Sequence, residues 1–263
     1  MKVIVVTGPD GSGKSTLINQ LGEALKEKVK ILRTPRFDVD LFLKDEDLYT
    51  TTHFLNQLAL RADLEKAYSF KIIAIFGAMA IYGKALAHLR STSNQSVFCE
   101  RHPLIDTAVY AKAYLPVMHP KWLNLSDAAI LEKSFPAELA FILSALKIKI
   151  PRSSSGACFD LLAFLFAYFS ENERIDTLRL VDLFEIELPD HIYYLSAHAA
   201  LLENRIDERG TKEFHEKEEV LAGMENNYRS VLEASNCPYT IVKTDTWEPS
   251  NQLCEQLILE FGL

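Results

Sequence analysis

A three-layer α/β fold, with a central five-stranded parallel sheet and helices on both faces, is predicted by three observations. Apolar, β-branched runs recur at Lys2–Thr7, Val29–Arg33, Ser96–Cys99, Pro189–Ser196 and Tyr239–Val242. Between them lie stretches with apolar residues at helical spacing, beginning with Thr16–Leu25. A glycine-rich turn joins the first strand directly to the first helix, so strand, turn and helix follow one another as a βα unit.

That turn reads Gly8-Pro9-Asp10-Gly11-Ser12-Gly13-Lys14-Ser15, a full match to G-x-x-x-x-G-K-[ST]. The pattern has a physical reason. Backbone N–H groups have to curl around a polyphosphate, and glycine tolerates φ > 0 and leaves room for close approach. Gly8, Asp10, Gly11, Ser12, Gly13, Lys14, Ser15 and Thr16 are therefore the expected nucleotide-binding residues. Lys14 is placed for the β- and γ-phosphates, Ser15 offers a hydroxyl to Mg²⁺, and the helix start adds its positive dipole end. ATP and Mg²⁺ are the implied cofactors.

Each later strand ends in chemistry-bearing residues, as the carboxyl edge of a parallel sheet requires. The second runs into Arg33-Thr34-Pro35-Arg36-Phe37-Asp38. The third runs into Glu100-Arg101-His102-Pro103, where Glu100 is the expected Mg²⁺-directed or base-like carboxylate and Arg101 a fixed positive charge for phosphate oxygens. His102 alone is weak evidence for catalysis. After the fourth strand, a helix from Ala199 carries Arg205 and Arg209, four apart and on one face, beside the Gly210-Thr211-Lys212 break. These arginines are expected to act catalytically from a mobile flap.

Other segments read as packing. His53–Leu89 is helical in pattern, in two pieces. Asp127–Leu146, Cys158–Phe169 and Arg174–Glu187 read as helices around the loop signal Pro151–Gly156. They form an expected helical insertion at about 115–188, whose apolar faces serve as core first, with an acceptor-site roof or a homodimer face as alternatives. Glu216–Ala234 and Asn251–Phe261 complete the helices.

Composition sets bounds. The 263 residues suit one large α/β domain, and 48% hydrophobic with 24% charged residues is that of an ordinary globule. The net charge of -8 argues against a nucleic-acid polymer as partner. Cys99, Cys158, Cys237 and Cys254 are scattered without C-x-x-C spacing, which predicts buried thiols and a reducing compartment. The sequence opens into a strand without room for a signal peptide, and its longest apolar run, Ile72–Gly83, is short for a bilayer. A cytoplasmic location without membrane contact is the expectation.

Taken together, four separated elements resemble the thymidylate kinase and deoxynucleoside kinase group of P-loop phosphotransferases. Gly8 to Thr16 looks like the thymidylate kinase loop, whose aspartate, Asp10 here, approaches the acceptor sugar hydroxyl. Glu100-Arg101-His102 is similar to that group's Asp-Arg-Tyr/His motif, with glutamate first as in deoxynucleoside kinases, and Asp106 matches an acidic position used near the base. Asn204–Gly210, followed by Phe214 and the helix around Tyr228, resembles the arginine-bearing lid. The resemblance implies a single P-loop kinase domain over 1–263 with a lid at about 205–217. It also implies transfer of the ATP γ-phosphoryl group to a nucleoside monophosphate of the thymidylate type. Asp10, Arg36, Phe76, Arg101 and Asp106 are its acceptor residues.

Two departures bear on the acceptor. Arg33-Thr34-Pro35 stands where the family carries Arg-Glu-Pro, and Phe76 is followed by Gly77-Ala78-Met79-Ala80 without the family's phosphate-holding arginine. A monophosphate acceptor then needs Arg33, Arg36 or Arg101 in that place. The alternatives are a nucleoside or other small-alcohol kinase and, from another class, a nucleotide-binding switch or adaptor.

Overall fold

In a computed structural model of the chain, the residues described are 1–262 except 66, 119–124, 148, 151, 152, 155, 172–179, 182 and 211–215. They form two compact units. One comprises Met1–Arg33, Ser93–Ala113 and Leu188–Leu263, and the other Thr34–Thr92 and Tyr114–Glu187.

The first unit holds the sheet: β1 (Val3–Thr7), β2 (Val29–Arg33), β3 (Ser96–Glu100), β4 (His191–Ser196) and β5 (Tyr239–Lys243). All neighbours run parallel in the order β2-β3-β1-β4-β5, which puts β1 at the centre of the expected five-stranded parallel sheet. Five fully buried β1 residues, Val-Ile-Val-Val-Thr, explain its near-continuous apolar sequence, since a central parallel strand is covered on both faces. Ile4 and Val6 point into a core with Leu17 and Leu21 of α1 (Lys14–Leu25) and Leu253 and Leu257 of α10 (Glu248–Phe261). On the other face Tyr194 of β4 stacks on Tyr228 of α9 (Glu218–Ala234), ring centroids 5.1 Å apart. Helix α8 (Ala199–Glu208) follows β4. Helix α4 (Pro103–Met118) follows β3 and leaves this unit after Ala113.

The second unit is helical: α2 (Glu46–Glu65), α3 (Tyr68–Thr92), α5 (Leu125–Ser134), α6 (Pro136–Ser144) and α7 (Ala157–Glu171). The helix expected over 127–146 is two helices, because Pro136 brings no N–H and starts a new one at its N1 position. Phe54 and Phe135 pack across that break at 4.5 Å. Of the helix expected over 174–187, residues 174–179 and 182 lie outside the described ones; 180, 181 and 183 are helical, but Phe184 instead forms an antiparallel bridge with Leu146 and 185–187 are not helical.

Helix α3 extends well past its apolar run in both directions. Over Ser69–Thr92 it is long and apolar enough to cross a bilayer by length and composition, which the run Ile72–Gly83 alone did not suggest. Two-thirds of its most apolar window, 67%, is buried inside the protein, as in a core helix.

Candidate active site

The glycine loop leaves β1 at Thr7 and enters α1 at Lys14. Gly13 caps the helix at φ 95°, and a Cβ there would stand 2.8 Å from the Trp247 ring. Gly11, at φ 80°, would place a Cβ 2.8 Å from the Leu202 carbonyl oxygen. Both positions therefore need glycine for conformation and for space. No acidic residue sits in the first turn of α1, so its free N–H groups keep their preference for an anion. The Ser12 hydroxyl is buried in the loop with no hydrogen-bond partner among the described residues. An orphaned hydroxyl and a cradle that side chains would fill both fit a polyphosphate.

Lys14 is buried, and its Nζ donates to the Pro9 carbonyl oxygen at 2.7 Å. Burial, then the nearby Arg101 charge, lowers its pKa from 10.5 to about 8. Ser15 and Glu100, the two expected Mg²⁺-directed residues, meet: the Ser15 hydroxyl donates to Glu100 Oε1 at 2.6 Å across 85 residues of sequence. Arg33 Nε lies 3.8 Å from Glu100 Oε2, and Arg33 Nη2 donates to Asn19 Oδ1 at 2.7 Å. Thr16 is exposed on the first turn of α1.

Arg101 takes a left-handed backbone at φ 66°, a conformation that costs a bulky residue on the order of 1–3 kcal/mol. Its N–H donates to the Val6 carbonyl oxygen at 3.0 Å. Its guanidinium is paired with Asp10 and donates to the Tyr110 hydroxyl at 3.1 Å, and that hydroxyl donates to Asp10 Oδ2 at 3.2 Å.

Asp106 is fully buried. It accepts from the Thr7 hydroxyl at 2.8 Å, the Tyr228 hydroxyl at 2.7 Å and the His102 N–H at 2.7 Å, with Arg101 Nε 3.8 Å away. Burial pushes its carboxyl up, and Arg101 and these donors pull it back. The Tyr228 hydroxyl also lies 3.2 Å from the Gly8 carbonyl oxygen, so Asp106 and the glycine loop share one tyrosine. This is an internal position, where the family resemblance implied one facing a base. His102 is buried as well, and burial lowers its pKa to about 3, so the ring is neutral near neutral pH.

Arg205 reaches back to the glycine loop, donating to the carbonyl oxygens of Gly11 at 3.3 Å and Thr244 at 2.7 Å. Its guanidinium lies over the Trp247 ring, 4.3 Å from the centroid. Arg209, half exposed, pairs with buried Glu216. The expected lid over 205–217 falls partly outside the described residues, as do Lys212 and Phe214 within it.

The remaining expected acceptor residues belong to the second unit. Arg36 Nη2 pairs with Asp63 at 2.8 Å, and Asp63 also takes Lys71 at 2.7 Å. Phe76 is buried on α3, its ring 5.4 Å from that of Phe184. Sequence reading passed over Tyr110, Thr7 and Trp247. Tyr110 carried a usable signal, since it follows Asp106 by four residues and so shares its helix face.

No family model matches the chain, and no curated protein matches it in sequence. Among solved structures it is similar to deoxyadenosine kinase from M. mycoides with bound dATP, at 14% identity over 99% of this chain and 100% of that one, with a TM-score of 0.47. It is also similar to deoxyadenosine kinase from M. mycoides with the products dCMP and a flexible dCDP bound, at 14% identity over 97% and 98% of the two chains, with a TM-score of 0.48.

Two outcomes are expected. Tyr228→Phe removes a donor from buried Asp106 and lowers stability by about 1–3 kcal/mol. Urea unfolding reads this as a lower midpoint at unchanged slope, and an unmoved midpoint contradicts it. For Lys14 the folded pKa lies below the unfolded one, so between about 8 and 10.5 the unfolded chain binds the extra proton. Its contribution to stability therefore rises with pH through that window, while the ammonium charge expected to meet a phosphate is lost. Affinity for a non-hydrolysable ATP analogue should accordingly fall above pH about 8, and Lys14→Gln should bind weakly without that dependence.

Proposed function

We propose that the chain is an ATP-dependent phosphotransferase that moves the γ-phosphoryl group to a nucleoside-type acceptor. The contact between Ser15 and Glu100 carries this reading, because it joins the hydroxyl of a glycine-loop helix to a carboxylate at the end of the adjacent strand. Backbone N–H groups of Gly11 to Ser15 and the Lys14 ammonium bind the polyphosphate and offset its charge as transfer proceeds. Ser15 and Glu100 are the residues that would hold Mg²⁺, which supplies charge neutralisation of the phosphates when bound.

Asp10 and Arg101 face the acceptor, with Asp10 orienting the attacking hydroxyl and taking up its proton. Arg205 donates to the carbonyl oxygens of Gly11, Thr244 and Asp245, so it fixes the loop and, with Trp247, offers a flat surface to the donor base. Arg209 is the arginine assigned to the transferring group. Asp106 acts through others, as a positioning residue for Arg101 and the glycine loop.

The acceptor has two readings, each with an observation behind it. Arg101 is committed to Asp10 and Tyr110, which favours an unphosphorylated nucleoside hydroxyl. Arg36 is exposed, and an exposed pair such as Arg36 with Asp63 is worth only about 0–1 kcal/mol, so it is readily exchanged for an acceptor monophosphate.

The test is ADP release in a panel of nucleosides and their monophosphates. A kinase turns over slowly until its acceptor is added, and Lys14→Ala should lower the stimulated rate by on the order of 10² to 10³. Arg36→Ala separates the two acceptors: it raises a monophosphate KM by roughly tenfold and leaves a nucleoside KM unchanged. Nucleotide binding without any acceptor dependence, in either protein, would instead favour a switch or adaptor.

A further inference from the structure

We propose that Tyr110 is a positioning residue of the phosphoryl-transfer site, its hydroxyl tying Asp10 and Arg101 into one rigid unit. The assignment rests on the kinase reading for its catalytic consequence and on geometry alone for the tie.

Three groups from three different segments close a triangle. Asp10 comes from the glycine loop, Arg101 from the turn after β3, and Tyr110 from the second turn of α4. Arg101 Nη2 reaches both Asp10 Oδ1 and the Tyr110 hydroxyl, and that hydroxyl gives its one proton to Asp10 Oδ2. Each corner therefore satisfies the other two in the correct donor and acceptor sense. The phenol has to stay neutral to donate, and burial, which raises its pKa, keeps it so.

Helix spacing explains why α4 does this. Asp106 and Tyr110 are one turn apart on the same face, and both address Arg101, Asp106 lying 3.8 Å from Nε and Tyr110 lying 3.1 Å from Nη2. The Arg101 guanidinium also lies against the Tyr110 ring, 5.4 Å from its centroid. A strained backbone at Arg101 is thus matched by a side chain held at two points by one helix. Without the hydroxyl, Asp10 Oδ2 loses a donor and Arg101 loses an acceptor. The carboxylate that meets the acceptor hydroxyl keeps its ion contacts with Arg101 and Lys14 through Oδ1 but loses the bond that orients Oδ2, and small misplacements of such a group are costly in rate.

Tyr110→Phe tests this, because it keeps the ring and removes only the hydroxyl. kcat/KM for the acceptor should fall about tenfold with KM for ATP unchanged. Adding Tyr110→Phe to Asp10→Asn should cost little more, since Tyr110 acts through Asp10. Additive losses, or equal changes in both KM values, overturn the assignment. Should the parent show no acceptor-dependent turnover, the kinase reading fails by itself. Urea unfolding of the same four proteins then decides the tie without turnover: coupled midpoints support it, and independent ones overturn it.

Discussion

The pairing of β1 with β3 is the constraint on which the site depends. Val6 lies opposite Glu100 in a parallel register, and the Arg101 N–H continues the ladder to the Val6 carbonyl oxygen. Both strands therefore end at the same edge, one in the glycine loop and the other in a carboxylate and a guanidinium. Ser15 then meets Glu100, and Asp10 meets Arg101 where the chain turns through a left-handed backbone at Arg101. A slip of one residue in β3 would turn Glu100 to the opposite face of the sheet.

Asp106 is the polar counterpart of that register. A buried carboxyl is costly unless it is hydrogen-bonded, and here the Thr7 and Tyr228 hydroxyls and the His102 N–H donate to it, with the Arg101 guanidinium beside it. In this way the end of β1, the glycine loop through Gly8, α4 and α9 converge on one side chain. The arrangement also offsets the left-handed backbone at Arg101, a cost that persists only where surrounding contacts fix it. Tyr194 extends the lock by stacking on Tyr228 and donating to Glu225 on α9.

Much of this was legible in the sequence. All five strands appear where apolar runs placed them; β1, β3 and β4 are buried parallel strands with near-continuous apolar stretches, whereas β5 is largely exposed and shows its β-branched and aromatic residues alone. The glycine loop was legible for a similar reason, its residue types being demanded locally by φ and close approach. The junction at Phe135–Pro136 was not, since a continuous apolar pattern masked the proline until its helix-starting role was visible. Least legible were the polar locks. Thr7 and Tyr228 reach Asp106 from 99 and 122 residues away, and Arg205 reaches Gly11 from 194. Local pattern carries no information about such partners; only the topology of the sheet brings them together.

The claim at the centre is that Ser15 and Glu100 act as one Mg²⁺-directed pair. A double-mutant cycle of Ser15→Ala and Glu100→Gln, read as kcat at saturating ATP, acceptor and Mg²⁺, tests it most directly. The account predicts that either substitution alone removes most of the rate and that the second adds little, with higher Mg²⁺ needed in all three variants. Independent, multiplicative losses with an unchanged Mg²⁺ requirement would contradict it.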